Sequence, residues 1–76
     1  MQSYKLDNKK MDEDFLSGKS VWCHAVVPDH TTLKEGEKLV VLLSNGKKYL
    51  GRIGKFNYKL EKGFASGKLE IHRTPK

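Results

Sequence analysis

Cysteine and long apolar runs are both scarce in this 76-residue sequence, and each scarcity excludes a class of protein. The single cysteine, Cys23, excludes an internal disulfide, on which small secreted domains usually depend. The longest apolar run, Leu39–Leu43, is far shorter than the roughly 20 residues that a membrane-spanning helix needs. Met1–Lys10 lacks the apolar segment of a secretory signal. We therefore expect a cytoplasmic protein without a membrane partner.

Acidic residues are almost absent from the second half of the chain. Residues 1–37 carry five lysines and seven acids, whereas residues 38–76 carry ten Lys or Arg and two glutamates, within a net charge of +6. This asymmetry is typical of a positive surface for an anionic partner, although solubilising charge alone explains it equally well. The length allows one domain, and we predict a flexible N-terminal tail over residues 1–10 or a weak edge strand there, followed by a β-barrel domain over residues 11–76.

The pattern of short elements predicts a mainly β fold. Asp12–Gly18 has acids at its start and a glycine at its end, as in one helical turn. Ser20–Val27 is typical of a strand, and Lys68–Arg73 alternates polar and apolar residues as a final strand does. Lys62–Gly67 is rich in turn residues, and Gly51 and Gly54 indicate a bulge or a barrel corner.

The strongest local signal is a hairpin around Asn45-Gly46, a pair that favours a two-residue turn. Such a turn pairs Leu42 with Tyr49 on one face and Val41 with Leu50 on the other. The pattern does not show which face is buried. The whole chain is predicted to form a small barrel of four to five antiparallel strands with one short N-terminal helical turn.

Leu33–Val41 followed by Asn45–Ile53 resembles the first hairpin of SH3-like barrels, which include Tudor-type and Sm-like domains. The resemblance implies a binding module for methylated peptides or RNA, and Sm-like barrels self-associate as rings. A rival resemblance is to the small PUA-like barrel, whose opening is similar to Phe15–Lys19. Cys23-His24-Ala25 stands where the PUA-like pattern expects acidic and arginine residues.

The sequence shows none of the common catalytic or cofactor-binding motifs. Cys23 and His24 are adjacent on a strand, so their side chains point to opposite faces and do not form a catalytic pair. The one cysteine and three histidines lack the paired spacing of a zinc site, and the sequence has no phosphate-binding glycine loop. We expect no catalytic residues, no metal and no cofactor.

Basic residues interleaved with aromatic residues suggest a binding site instead. The candidates are Lys47, Lys48, Tyr49, Arg52, Lys55, Phe56, Tyr58, Lys59, Lys62 and Arg73. Nucleic-acid-binding barrels combine phosphate neutralisation with bases stacked on exposed rings, so a module for RNA or single-stranded DNA is the leading hypothesis. The alternative is a regulator or inhibitor that docks on an acidic protein, through the same residues or by strand addition along Lys68–Arg73. Any one of these rings is also a reasonable core residue.

Overall fold

The computed structural model describes residues 2–74, which form five strands, one α-helix and one 3₁₀ turn. The elements in chain order are β1 (Ser3–Lys5), α1 (Lys9–Leu16), β2 (Val21–Val27), the 3₁₀ turn (His30–Thr32), β3 (Lys38–Leu42), β4 (Lys48–Glu61) and β5 (Phe64–Arg73). The strands make one sheet in the order β1-β3-β4-β5-β2, which curls into a half-barrel. The prediction of a small, mainly β barrel-like fold with one short helix is confirmed.

The N-terminal segment contributes to this sheet. β1 is an edge strand that pairs with β3 in parallel, so the strands are not all antiparallel as predicted. Leu6, which follows β1, is 1% exposed and lies in the hydrophobic core. Within the predicted tail, Ser3–Lys5 therefore form an edge strand, while Lys9 and Lys10 belong to helix α1.

The helix begins earlier than predicted and ends where predicted. Asn8 caps it by accepting a hydrogen bond from the backbone N–H of Met11, which moves the start to Lys9. Ser17 is its C-cap and Gly18 follows in a left-handed conformation. Phe15 is fully buried and docks the helix on the sheet.

The central hairpin has a three-residue loop instead of the predicted two-residue turn. Leu43 pairs with Lys47, and the N–H of Gly46 donates to the carbonyl of Leu43. Gly46 has a φ of +90°, as expected where a type I turn is followed by a glycine bulge. The register therefore moves by one residue, and Val41 faces Tyr49 while Val40 faces Leu50. The predicted cross-strand pairs are wrong for this reason.

The tight two-residue turn occurs instead between β4 and β5. Lys62 and Gly63 have φ angles of 50° and 83°, as a type I′ turn requires. Strand β5 begins directly at Phe64, so the predicted connection over residues 62–67 is wrong and the final strand is longer than predicted. β5 pairs with β4 on one side and with β2 on the other. Lys68 has a partner in both ladders, so Lys68–Ile71 is not an edge for strand addition.

A bulge between Ile53 and Phe56 confirms the prediction made from Gly54.

Strand alternation divides the sheet into two faces. The inner face carries the buried core residues of the strands, which are Val21, Ala25, Val27, Leu39, Val41, Ile53, Ala65, Leu69 and Ile71. Helix α1 and the 3₁₀ turn pack on this inner face, because Phe15 lies in the core and His30 stacks on Tyr58. The opposite, outer face is exposed, as the half-exposed side chains of Leu50 and Val26 show.

Candidate functional site

The predicted basic and aromatic residues separate onto the two faces of β4. Lys48 and Arg52 are exposed on the outer face, whereas Tyr49 between them points inward. Beyond the bulge, Lys59 is on the outer face, while Phe56 and Tyr58 are opposite Leu69 and Gly67 on the inner face. Successive residues of a strand point to opposite faces of the sheet. Cations and rings that alternate in the sequence therefore lie on opposite faces.

Two of the predicted site residues hold the helix in place. Tyr49 makes an edge-on contact with Phe15, with ring centroids 6.3 Å apart. The Arg73 guanidinium lies over the Tyr49 ring, 5.6 Å from its centroid, and its Nη1 donates to the carbonyl of Leu16 at 2.7 Å. These contacts dock the C-terminal end of α1 on the sheet, so Tyr49 and Arg73 face α1 rather than the outer surface.

Phe56 and Tyr58 belong to a row of rings on the inner face. Tyr58 stacks on His30 with centroids 5.0 Å apart, and Phe56 lies 5.1 Å from Tyr58. Phe56 also packs against the hydrophobic core, while Tyr58 remains 37% exposed. Phe56 and Tyr58 thus line the inner face of β4 beyond the bulge.

The remaining predicted cations lie at the borders of the outer face. Lys47 and Lys62 are in the two turns at opposite ends of β4, a strand of 14 residues. Lys55 is exposed in the bulge, where its backbone N–H donates to Oε1 of Glu70 at 3.2 Å. These three residues therefore do not form one compact cluster.

The outer face gathers cations that the sequence analysis did not group. Lys38 faces Arg52 across the β3–β4 ladder, and Lys5 reaches the same face from β1, opposite Leu42. Lys68 on β5 is opposite His24 on β2. The hairpin pattern itself could have found Lys38, but nothing local in the sequence places Lys5 beside β3.

Six Lys or Arg side chains from the strands share the outer face with two glutamates. They are Lys5, Lys38, Lys48, Arg52, Lys59 and Lys68, against Glu61 and Glu70. Outside the strands, the helix and the loops up to residue 37 carry seven carboxylates and four lysines. The outer face of the strands is thus mainly cationic, whereas three of the carboxylates belong to helix α1.

Two exposed rings lie on the outer face, and neither was among the predicted site residues. Trp22 on β2 is 41% exposed and faces Glu70, and Phe64 at the start of β5 is 47% exposed and faces Glu61. The two-residue repeat of β2 groups Trp22 with His24, but no signal in the sequence shows that their face is the exposed one. Glu70, the partner of Trp22, is six residue steps from Phe64 along β5, which places the two rings about 20 Å apart.

Glu70 on β5 lies on the outer face beside the bulge of β4. It accepts the N–H of Lys55, and this hydrogen bond is the main reason that the pKa of its carboxyl is lowered. His72 Nε2 lies 3.3 Å from Glu70 Oε1. A side chain at Gly54 would meet both groups, so the bulge glycine lets them fold over the backbone.

Cys23 points inward, on the face opposite His24, as the sequence predicts. Burial is the main reason that the pKa of the Cys23 thiol is raised, and the nearby Asp7 raises it further. A raised pKa means less thiolate at neutral pH, which is the reverse of an activated nucleophile. Within residues 2–74, no three His, Cys, Asp or Glu side chains are grouped as a metal site.

Helix α1 is much too short and polar to span a bilayer, and residues 2–74 contain no helix that qualifies. Comparison of the chain with protein-family models, with curated proteins and with solved structures found no match. The features that bear on function are therefore those of the fold itself, a curled five-stranded half-barrel with one covered and one cationic face.

Proposed function

We propose that the protein is a non-enzymatic module that binds single-stranded nucleic acid on the outer face of its sheet. The observation that supports this most is the exposure of Trp22 and Phe64 on the same face as six Lys or Arg side chains. Cations that neutralise phosphates and flat rings that stack on bases are the two requirements of such a surface.

Strand β4 supplies the proposed path of the backbone. Lys48, Arg52 and Lys59 follow one another along its outer side, and Lys68 on β5 is opposite Asn57, two residues before Lys59. Each neutralised phosphate releases counterions, so four such contacts give a slope of about −3 for log affinity against log salt with a single strand. The bases then extend towards β5 and β2, where Trp22 offers a ring.

The proposal keeps the predicted class of ligand and revises the predicted site. Tyr49, Phe56 and Tyr58 face the opposite side, so Trp22 and Phe64 replace them as the stacking residues. The resemblance to SH3-like barrels is consistent with a binding module, but a fold alone does not specify a ligand. A cytoplasmic location agrees with the free thiol of Cys23.

The test compares two rings of similar exposure on opposite faces. Trp22→Ala and Tyr58→Ala are titrated with labelled single-stranded oligo(U) and oligo(dT), and the Kd is measured by fluorescence anisotropy. A stacked base contributes about 1–3 kcal/mol, so Trp22→Ala is expected to weaken binding by roughly 5- to 150-fold. Tyr58→Ala should leave the Kd unchanged. Trp22 is the only tryptophan, so its fluorescence should be quenched when the oligonucleotide binds.

Charge variants test the same surface independently. Lys68→Gln should reduce the salt slope by about 0.7, while Lys10→Gln on the helix should not change it. Circular dichroism checks that each variant is folded. The proposal is wrong if the wild-type chain shows no affinity at low salt, or if Tyr58→Ala weakens binding and Trp22→Ala does not.

A further inference from the structure

One part of the outer face has a chemistry that nucleic-acid binding does not explain. At the centre of this part, Leu50 on β4 is 52% exposed, and Val40 and Leu42 on β3 lie half-buried beside it. This apolar centre and the four cations around it, Lys5, Lys38, Lys48 and Arg52, are here named the Leu50 patch.

The ladder registers place the four cations on opposite sides of the apolar centre. Lys48 and Arg52 lie two residues before and after Leu50, about 7 Å away along the strand. Lys38 faces Arg52, while Lys5 and Lys48 lie on either side of Leu42. The result is an apolar centre with a cationic rim.

The rim is positively charged and one of its members is fixed. The strand segments that form the patch, 3–5, 38–42 and 48–52, contain no acidic residue. Nη1 of Arg52 donates to the carbonyl of Gly36 at 2.9 Å, which holds the guanidinium at the border and uses one of its five donors. An ordered arginine loses less freedom when it binds a carboxylate.

We infer that the Leu50 patch docks an acidic protein segment that presents a large apolar side chain between its carboxylates. The apolar side chain covers Leu50 and removes its exposed area from water, while the carboxylates pair with the rim. This inference goes beyond the proposed function, because it adds a protein partner.

Other occupants fit the patch less well. A second copy of the chain that docked through its own Leu50 patch would oppose four cations to four cations, which is unfavourable. A nucleic acid satisfies the cations, but Leu50 is not a ring on which a base stacks, and the exposed rings lie elsewhere on the face. An anionic bilayer is flat, whereas the outer face of a curled sheet is convex.

The experiment selects random linear peptides from a displayed library against the immobilised full chain. The inference predicts enriched peptides that combine Asp or Glu with Leu, Ile or Phe. Leu50→Ala should weaken a selected peptide about 3- to 10-fold, because half of a leucine's burial energy is lost. Val26→Ala is the matched control, since Val26 is an outer-face residue with 55% exposure and lies outside the patch. Its effect should be absent.

The charge requirement is tested with Lys48→Glu, which should abolish the binding of the selected peptides. The inference is overturned if no peptide is enriched, if the enriched peptides lack an excess of acids, or if they bind Leu50→Ala as well as the wild type. Binding to phosphatidylglycerol vesicles that depends on Leu50, in the absence of peptide binding, also overturns it in favour of a membrane.

The two ideas fail separately. The patch shares Lys48 and Arg52 with the proposed nucleic-acid path, so a selected peptide should displace a labelled oligonucleotide. Leu50→Ala should leave oligonucleotide affinity unchanged, because Leu50 has no part in the proposed stacking. Peptides that require Leu50 support the inference even if the chain binds no oligonucleotide, and oligonucleotide binding without such peptides supports only the proposed function.

Discussion

Replacing Gly67 with alanine should separate the two strands that carry Lys59 and Lys68. A Cβ at this position would overlap the carbonyl oxygen of Asn57 and lie 2.7 Å from Cα of Tyr58. Both are backbone atoms of the opposing strand, so no side-chain rotation relieves the contact. Overpacking costs about 1–3 kcal/mol, and each weakened ladder hydrogen bond about 1 kcal/mol more.

The expected loss is therefore about 3 kcal/mol, which corresponds to a fall in Tm of roughly 12–24 °C for a domain of this size. Thermal unfolding followed by circular dichroism measures it, and faster amide exchange over residues 57–61 should localise the damage. Gly46→Ala is the control, since nothing lies within 4 Å of a Cβ there and only its φ of +90° is unfavourable. That strain costs about 1–2 kcal/mol. A Gly67→Ala chain that melts with the wild type, or above Gly46→Ala, would refute the register between β4 and β5.

Further predictions concern two carboxylates. Asp12 is 7% exposed and accepts hydrogen bonds from the backbone N–H and the hydroxyl of Ser44, so Asp12→Ala should cost about 1–3 kcal/mol in denaturant unfolding. Asp12→Asn, which keeps an acceptor for the N–H at 3.0 Å, should lose less, and an equal loss would contradict the role assigned to that bond. The pKa of Glu70 is lowered from the ordinary value of 4.5, mainly by the N–H of Lys55, so its contribution to stability is present above pH 4.5 and is lost as the pH falls through the lowered pKa. Glu70→Gln should therefore flatten the fall in stability below about pH 4.5, and an unchanged pH profile would show that the bond to Lys55 has no energetic weight.

Part of the candidate site could be predicted because it depends on local chemistry. Lys48 and Arg52 lie in the predicted returning strand of the hairpin, and both belong to β4 in the structure. The exposed rings could not be chosen in the same way. Tyr49, Phe56 and Tyr58 have the same alternation as the lysines, and sequence alone does not tell whether the rings or the cations face the core.

The sequence by itself determined the fold class, the helix end at Gly18, the bulge at Gly54 and the separation of Cys23 from His24. Each of these depends on neighbouring residues and on the two-residue repeat of a strand. Only the tertiary structure decided that β1 joins β3 in parallel, that Lys5 enters the cationic face and that Trp22 is exposed there. Those facts require contacts between distant segments, whose pairing depends on which apolar face is buried. The hairpin loop is an example, because it is one residue longer than predicted. That single residue shifts the register, so each paired residue of β4 faces a different partner on β3 from the predicted one.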